Sequence, residues 1–340
     1  MSKRMFVEVS ESSQAGEARR LAVACAQQLQ FAEAQCGAVA IATMELATNL
    51  IKHAQEGFIL VQPLPQNGRR GLRLMAIDRG PGISDISRAM GDGHSTAGSL
   101  GTGLGAIRRL CDAFEIYSVT DMGTVIRADF WLPQKDNTHG FPLEVGIVSE
   151  PVMGEQVCGD QWGIRFLPDS VLMMVADGLG HGELAFEAAR EATRVLAETF
   201  YFEPSEVVNE VHGALKKTRG AAMAVAKLDV AKQVLRFAGV GNISARIVSP
   251  GVSRGLPSHN GTLGQHAGRI QEFAYPWNTG DVLVMHSDGL TTRWDLERYP
   301  GIWSKHPSII AAMLHRDFCR GRDDVTVLVA RVSSSTGIES

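Results

Sequence analysis

The segment Pro133-Gln-Lys-Asp-Asn-Thr-His-Gly-Phe-Pro142 constrains this chain most, because it is polar, turn-forming and without helical or strand period, and the patterning on its two sides differs. Before it, a strand-like run at 6–9 leads into helical stretches at about 17–29 and 37–55. Strand-like runs follow at 58–63, 72–78, 114–120 and 124–132. A long glycine-rich stretch separates the second of these from the third, and a short helix is expected over 106–111. After the segment, strand-like runs at 143–149, 162–167, 171–176, 221–229, 233–240, 245–249, 282–287 and 325–331 surround two or three helices, notably 183–199 and 205–217. At 340 residues the chain exceeds the usual single core. The expectation is an α+β protein: an α/β domain over 1–133, a linker over 134–142, a layered sandwich over 143–334 and a flexible tail over 335–340.

Charge and composition narrow the function classes. A formal net charge of -4 without a basic run provides no field to gather nucleic acid or an anionic membrane. The five cysteines are scattered and form no C-x-x-C pair, which points to reduced, mostly buried thiols rather than zinc. No run of about 20 apolar residues stands out to span a bilayer, and the N-terminus lacks an apolar signal core, so a soluble cytoplasmic protein is expected.

In Met44-Glu-Leu-Ala-Thr-Asn-Leu-Ile-Lys-His-Ala54, residues Glu45, Asn49 and His53 recur every four positions and share one helix face, while Leu46 and Leu50 turn to the core. A carboxylate and an amide stacked this way can hold a hydrated magnesium ion against nucleotide phosphates; taken alone, the helix reads rather as a solvated polar face. In Ala76-Ile-Asp-Arg-Gly-Pro-Gly-Ile83 a strand ends at Asp78, placed to accept a hydrogen bond from an exocyclic amine such as that of adenine, and Gly80 and Gly82 permit close backbone approach. Gly98-Ser-Leu-Gly-Thr-Gly-Leu-Gly-Ala-Ile107 supplies bare amides before a helix, a phosphate cradle built on Gly101, Thr102, Gly103 and Gly105. Gly101, Gly103 and Ala106 also satisfy a dinucleotide fingerprint with Asp121 as the ribose acid, but that site needs a strand directly before the loop. Here residues 85–100 precede it and read as a mobile lid.

These three elements, in this order over residues 6–133, resemble the GHKL ATPase superfamily, and within it the anti-sigma-factor and stressosome-type serine kinases. The resemblance implies a Bergerat-type fold binding ATP and magnesium. It assigns Asn49 as metal ligand, Glu45 as general base or water-positioning group, Asp78 as adenine contact, Lys52 near the phosphates and Thr124 near the base. With no separate phosphoacceptor-histidine helix, direct transfer to a serine or threonine of another protein is the implied reaction.

In the second half, apolar runs stop repeatedly at an acid: Val157-Cys-Gly-Asp160, Met174-Val-Ala-Asp-Gly178, Val284-Met-His-Ser-Asp-Gly289 and Gly321-Arg-Asp-Asp-Val325. Any one is an ordinary turn. As a set converging within about 4 Å, each like-charge pair would cost on the order of 4 kcal/mol at an effective dielectric near 20, so bound cations must neutralise them. Oxygen ligands select magnesium or manganese, and two such ions can activate a water for in-line attack on a phosphomonoester. A calcium-stabilised or merely turn-rich β domain is the plainer alternative; no EF-hand loop is present.

Residues 143–332 resemble the metal-dependent PPM phosphatases, specifically the bacterial branch typified by SpoIIE, whose fold is a β-sandwich flanked by helices. The resemblance implies Asp177 bridging two metals with the Gly178 carbonyl assisting, and Asp160, Asp288 and Asp323 completing the set. Asp324 is placed behind them or in exchange with Asp323. Gly241-Asn242 is taken as structural, and His181 and His286 are left unassigned. Together the two resemblances imply a partner-switching regulator acting on a STAS-domain antagonist or stressosome protein. A sigma factor is a further partner, a homodimer is left open, and reciprocal control of the two sites is expected. Two other classes stay open: an ATP-holding module that sequesters a sigma factor while the phosphatase alone is catalytic, and an ATP-hydrolysing conformational machine.

Overall fold

The computed structural model describes residues 5–54, 56–64, 69–91, 103–133 and 141–333. Its chain groups into two compact units, Met5–Gly140 with Tyr299–Lys305, and Phe141–Arg298 with His306–Ser340 and Met1–Arg4. The expected linker core at 134–140, most of the lid (92–100), the loop residues Gly101 and Thr102, and the tail at 335–340 lie outside the described residues.

In the first unit, β1 (Phe6–Glu8) precedes α1 (Ser12–Gln28) and α2 (Glu33–His53). Then come β2 (Gly57–Pro63), β3 (Gly71–Asp78), short α3 (Ile86–Ala89), α4 (Leu104–Leu110), β4 (Ala113–Ser118) and β5 (Thr124–Trp131). The strands form one antiparallel sheet in the order β1-β2-β3-β5-β4. One face of that sheet (Ile59, Val61, Leu72, Leu74, Ala128 and Phe130) meets Ala18, Ala22, Val39, Leu46 and Leu50 of α1 and α2 in a single core. Helix α1 starts five residues before its expected position, because Gln14 reaches back to accept from the backbone amides of Ser10 (2.7 Å) and Glu11 (3.0 Å). By length and composition α2 could cross a membrane, contrary to the expectation of no such run. Its apolar stripe is instead buried in this core.

The second unit opens with β6 (Leu143–Glu150), β7 (Asp160–Phe166), β8 (Val171–Gly178), α5 (Glu183–Glu198), α6 (Pro204–Ala214), β9 (Ala221–Asp229), β10 (Val234–Val240) and β11 (Ser244–Ser249). It continues through β12 (Val252–Leu256), β13 (Gly261–Thr262), β14 (His266–Ala267), β15 (Phe273–Pro276), β16 (Val282–His286), α7 (Pro307–Phe318) and β17 (Val325–Val332). Two five-stranded sheets, β15-β10-β9-β8-β7 and β12-β11-β16-β17-β6, enclose a core containing Met173, Phe237, Ile247, Met285 and Leu328. Alternate residues of β8 (Leu172, Met174, Ala176) turn outward under Val195, Val207 and Val211 of α5 and α6, so this strand is apolar on both faces. The architecture is the expected sandwich flanked by helices.

Helix α7 and the strands β12 to β15 are absent from the sequence expectation. From Pro307 to Leu314 every residue of α7 is buried, so it carries no 3.6-residue polar stripe to betray it. His306 caps it, accepting at Nδ1 from the Ser308 amide at 3.1 Å.

A buried ion cluster ties β3 to β5. Arg73 donates to both carboxylate oxygens of Asp129, at 2.7 and 2.8 Å, and Arg127 adds Nε at 3.0 Å. Both members of the Arg73–Asp129 pair are almost fully buried, and the two guanidinium groups hold the Asp129 carboxyl below its ordinary range against the opposing effect of burial. Asp129→Ala strands two guanidinium groups and is expected to cost about 3–5 kcal/mol in the stability of this unit, read from native-state hydrogen exchange of the β3 and β5 amides.

Candidate functional sites

In the first unit, Glu45 and Asn49 lie half-buried on α2, and Lys52 and His53 are exposed at its last turn. Asp78 ends β3, where its Oδ1 accepts from the amides of Gly80 (2.7 Å) and Thr124 (3.1 Å). These bonds link three sequence-predicted residues that are up to 46 positions apart. Gly82 has φ +73°, and a Cβ there would sit 2.3 Å from the Val119 carbonyl oxygen, so only glycine carries the turn. Ser118, which the sequence did not signal, accepts from the Ile83 amide at 2.7 Å and shares a 2.9 Å hydrogen bond with the Thr124 hydroxyl. Gly103 caps α4 and Gly105 lies within it, with open space where a Gly103 Cβ would be. The arrangement offers a fixed carboxylate and a half-buried carboxylate–amide helix face, suited to an exocyclic amine and to a hydrated magnesium ion carrying phosphates.

In the second unit the carboxylates gather where strands end. Asp160 at the start of β7 is the register partner of Asp177 near the end of β8, so two like charges face each other directly. Asp160 is buried; its Oδ2 accepts from the Ser287 hydroxyl at 2.5 Å, while its Oδ1 has no hydrogen-bond partner. Burial, then the charge of Asp177, pushes the Asp160 carboxyl well above its ordinary range. Asp177 is raised to about 7 by burial and by the charges of Asp288 and Asp323. A Cβ on Gly178 would lie 2.0 Å from the Ala185 carbonyl oxygen, which fixes α5 hard against the end of β8.

Asp288 follows β16 and accepts from Asn242 Nδ2 at 2.7 Å. The same amide lowers the Asp177 carboxyl through a hydrogen bond, so Asn242 spans two of the acids. Asn242, read from the sequence as structural, thus holds an acid of the cluster in place. Asp323 is exposed and accepts the Asp324 amide at 2.9 Å. Asp324 is buried, and its two oxygens accept the Val152 (2.8 Å) and Gly159 (2.9 Å) amides. Of the two placements open to Asp324, the structure favours the one behind the cluster, because its carboxylate is committed to the loop before β7.

The two histidines also separate. His181 Nδ1 lies 2.7 Å from Glu155 in an exposed pair. His286 is buried, accepts from Trp294 Nε1 at its Nε2 (3.1 Å) and donates from Nδ1 to the Ser287 carbonyl (2.8 Å); burial lowers it to about 4. It holds the strand end as a neutral ring.

Among the described residues no three or more His, Cys, Asp or Glu side chains close round a single point. Magnesium, however, keeps several waters and takes only one or two carboxylates. The buried, unpartnered Asp160 Oδ1 and the mutually raised acids fit hard divalent cations, which would neutralise both.

The raised Asp177 sets a pH dependence. In metal-free protein the fold retains a proton that the unfolded chain releases at its ordinary 3.8, so this contribution is present at low pH and is lost as pH rises through about 7. With EDTA, the Tm of wild type relative to Asp177→Asn is expected to fall between about pH 5 and pH 8, and the Tm gained from manganese to be larger at the upper end. Parallel Tm profiles for the two proteins would contradict it.

Comparison with known proteins follows the same division. Residues 9–130 match the model of the Histidine kinase-like ATPase domain, and residues 168–333 that of Stage II sporulation protein E (SpoIIE). The chain is 41% identical over 115 residues to Serine/threonine-protein kinase RsbT of Bacillus subtilis (strain 168), covering 34% of this chain and 86% of that protein. It is 27% identical over 139 residues to Phosphoserine phosphatase RsbX of the same organism, covering 40% of this chain and 69% of that protein. A solved structure described as "The bacterial stressosome: a modular system that has been adapted to control secondary messenger signaling" superposes with a TM-score of 0.53 at 27% identity, covering 56% of this chain and 99% of its own. The chain therefore belongs, through its N-terminal third, to the family of RsbT-type histidine kinase-like ATPase domains, joined in one polypeptide to a SpoIIE-type phosphatase domain.

Proposed function

We propose that this protein is a bifunctional partner-switching regulator: an ATP-dependent serine/threonine protein kinase and a metal-dependent phosphoserine/phosphothreonine phosphatase. Both act on a STAS-domain antagonist or stressosome protein in the cytoplasm. The similarity to a serine/threonine kinase in one half and a phosphoserine phosphatase in the other supports the pairing. The observation that carries the phosphatase is the buried Asp160–Asp177 pair with an unpartnered carboxylate oxygen.

In the kinase half, Asn49 would hold magnesium, and Asp78, fixed by the Gly80 and Thr124 amides, would bind the adenine amine. Lys52 and the Gly101–Gly105 loop would attend the phosphates, while Glu45 would take the proton of the attacking hydroxyl. In the phosphatase half, Asp177 with the Gly178 carbonyl, Asp160, Asp288 and Asp323 would hold two magnesium or manganese ions. When bound, these ions supply an activated water. The overall reaction would be hydrolysis of the seryl phosphate ester to the serine hydroxyl and inorganic phosphate. Ser287 and Asn242 orient the acids, and Asp324 clamps the loop that carries Asp160.

Incubation with ATP, magnesium or manganese and a STAS-domain substrate tests both halves. Asp78→Asn is expected to lose phosphorylation and Asp177→Asn to accumulate phosphoprotein; equal phosphoprotein in wild type and Asp177→Asn refutes the phosphatase assignment. ATP binding without any transfer refutes the kinase assignment and favours a sequestering module. Asn242→Ala, which removes an orienting amide and no ligand, is expected to lower manganese affinity or turnover by about 10–100-fold in phosphate-release assays.

A further inference from the structure

Beside the carboxylate cluster lies a cleft of about 470 Å³ whose lining includes Glu155, Gly180, His181, Gly182, Glu183 and Arg219. The position of Arg219 follows from the sheet register. Asp177 and Gly178 pair with Ala222 and Ala221 at the start of β9, so Arg219 sits just beyond the strand end that carries the bridging aspartate. The Leu179 amide donates to the Gly220 carbonyl at 3.0 Å, stitching the loop after Asp177 to the loop holding Arg219.

This turn is built rather than incidental. Gly220 has φ +87°, and a Cβ there would stand 2.5 Å from the Leu263 carbonyl oxygen. The Gly220 amide donates to the Thr218 hydroxyl at 3.0 Å, and Gln265 Nε2 donates to the Arg219 carbonyl at 2.6 Å. The backbone of Arg219 is thus held on both sides while its side chain extends, exposed, toward Gly180: one guanidinium nitrogen lies 3.2 Å from where a Gly180 Cβ would be.

Charge completes the case. Several arginines of this unit are engaged, as Arg194 is with Glu191, Arg236 with Glu272 and Arg331 with Glu144, and of the arginines that are not, Arg219 is the one that lines this cleft. Among the described residues the Arg219 side chain makes no hydrogen bond or ion pair. Of the two acids in the cleft, Glu155 is taken by His181, and Glu183 lies in the first turn of α5. A planar, permanently charged fork held beside a carboxylate cluster matches the oxygens of a phosphate monoester, which metal ions alone would not orient.

Building on the phosphatase reading, we propose that Arg219 is the phosphate-anchoring residue of the phosphoserine subsite, gripping the non-bridging oxygens of the substrate and of the inorganic phosphate product.

The test uses the full chain with manganese, a phosphoserine peptide as substrate and inorganic phosphate as the equilibrium probe. Arg219→Met is expected to raise the KM for the peptide and the calorimetric Kd for phosphate together by about 10–100-fold. Manganese affinity and Tm should stay at wild-type values, and Arg219→Lys should restore part of the loss because it keeps the charge without the fork. Unchanged KM and phosphate Kd in Arg219→Met overturn the proposal, as does a loss that tracks manganese affinity. If wild type hydrolyses no phosphopeptide, the phosphatase reading fails. The anchoring role then stands or falls on whether phosphate Kd depends on Arg219.

Discussion

The second unit is organised around a repulsion. Asp160 and Asp177 face each other across the β7–β8 ladder, a pairing that costs free energy in any sheet and more when one partner is buried. The surroundings tolerate that repulsion without removing it: Ser287 satisfies one oxygen of Asp160, Asn242 reaches Asp177 and Asp288, and the Thr326 amide fixes the Ser287 hydroxyl at 2.9 Å. A stretch of sheet held in this state has a strong thermodynamic demand for positive charge. Divalent cations would satisfy it.

The first unit uses its aspartates in the opposite way. Asp129 is compensated within the fold by two arginines and serves as a cross-strand tie. Asp78 is fixed by backbone amides, which orient the carboxylate without cancelling its charge as a guanidinium would. One residue type thus appears as a neutralised acid in the core and as an oriented acid at a strand end.

How much of this could be read from the sequence depended on whether a residue's role left a periodic or motif trace. The first unit's long helices were legible because each has a drier and a wetter face, and its strands β2, β3 and β5 because each is a short, largely apolar run. The strand-end acids were legible because an apolar run stopping at Asp recurs. Helix α7 was not, being buried on all sides from Pro307 to Leu314, and neither were the short edge strands β12 to β15, where exposed residues dominate β12. Asn242 and Ser287 act through bonds to residues 46 and 127 positions away, a relation that no local pattern encodes. Asp323 and Asp324 could not be told apart from adjacency alone; the Val152 and Gly159 amides, which both bond Asp324, distinguish their surroundings.

The burial of α7 on every side has a consequence for how this domain can vary. Helix α7 cannot rotate or slide without exposing apolar surface, and β17, which begins seven residues after the helix ends, is locked into register with both β6 and β16. The six residues between them, Cys319 to Asp324, therefore form a bridge of set span whose last two members are the paired acids. Its length matters more than the composition of its first positions. Substitutions at Arg320 or Arg322 leave the span intact, whereas gaining or losing one residue would displace Asp323 and Asp324 together from their partners.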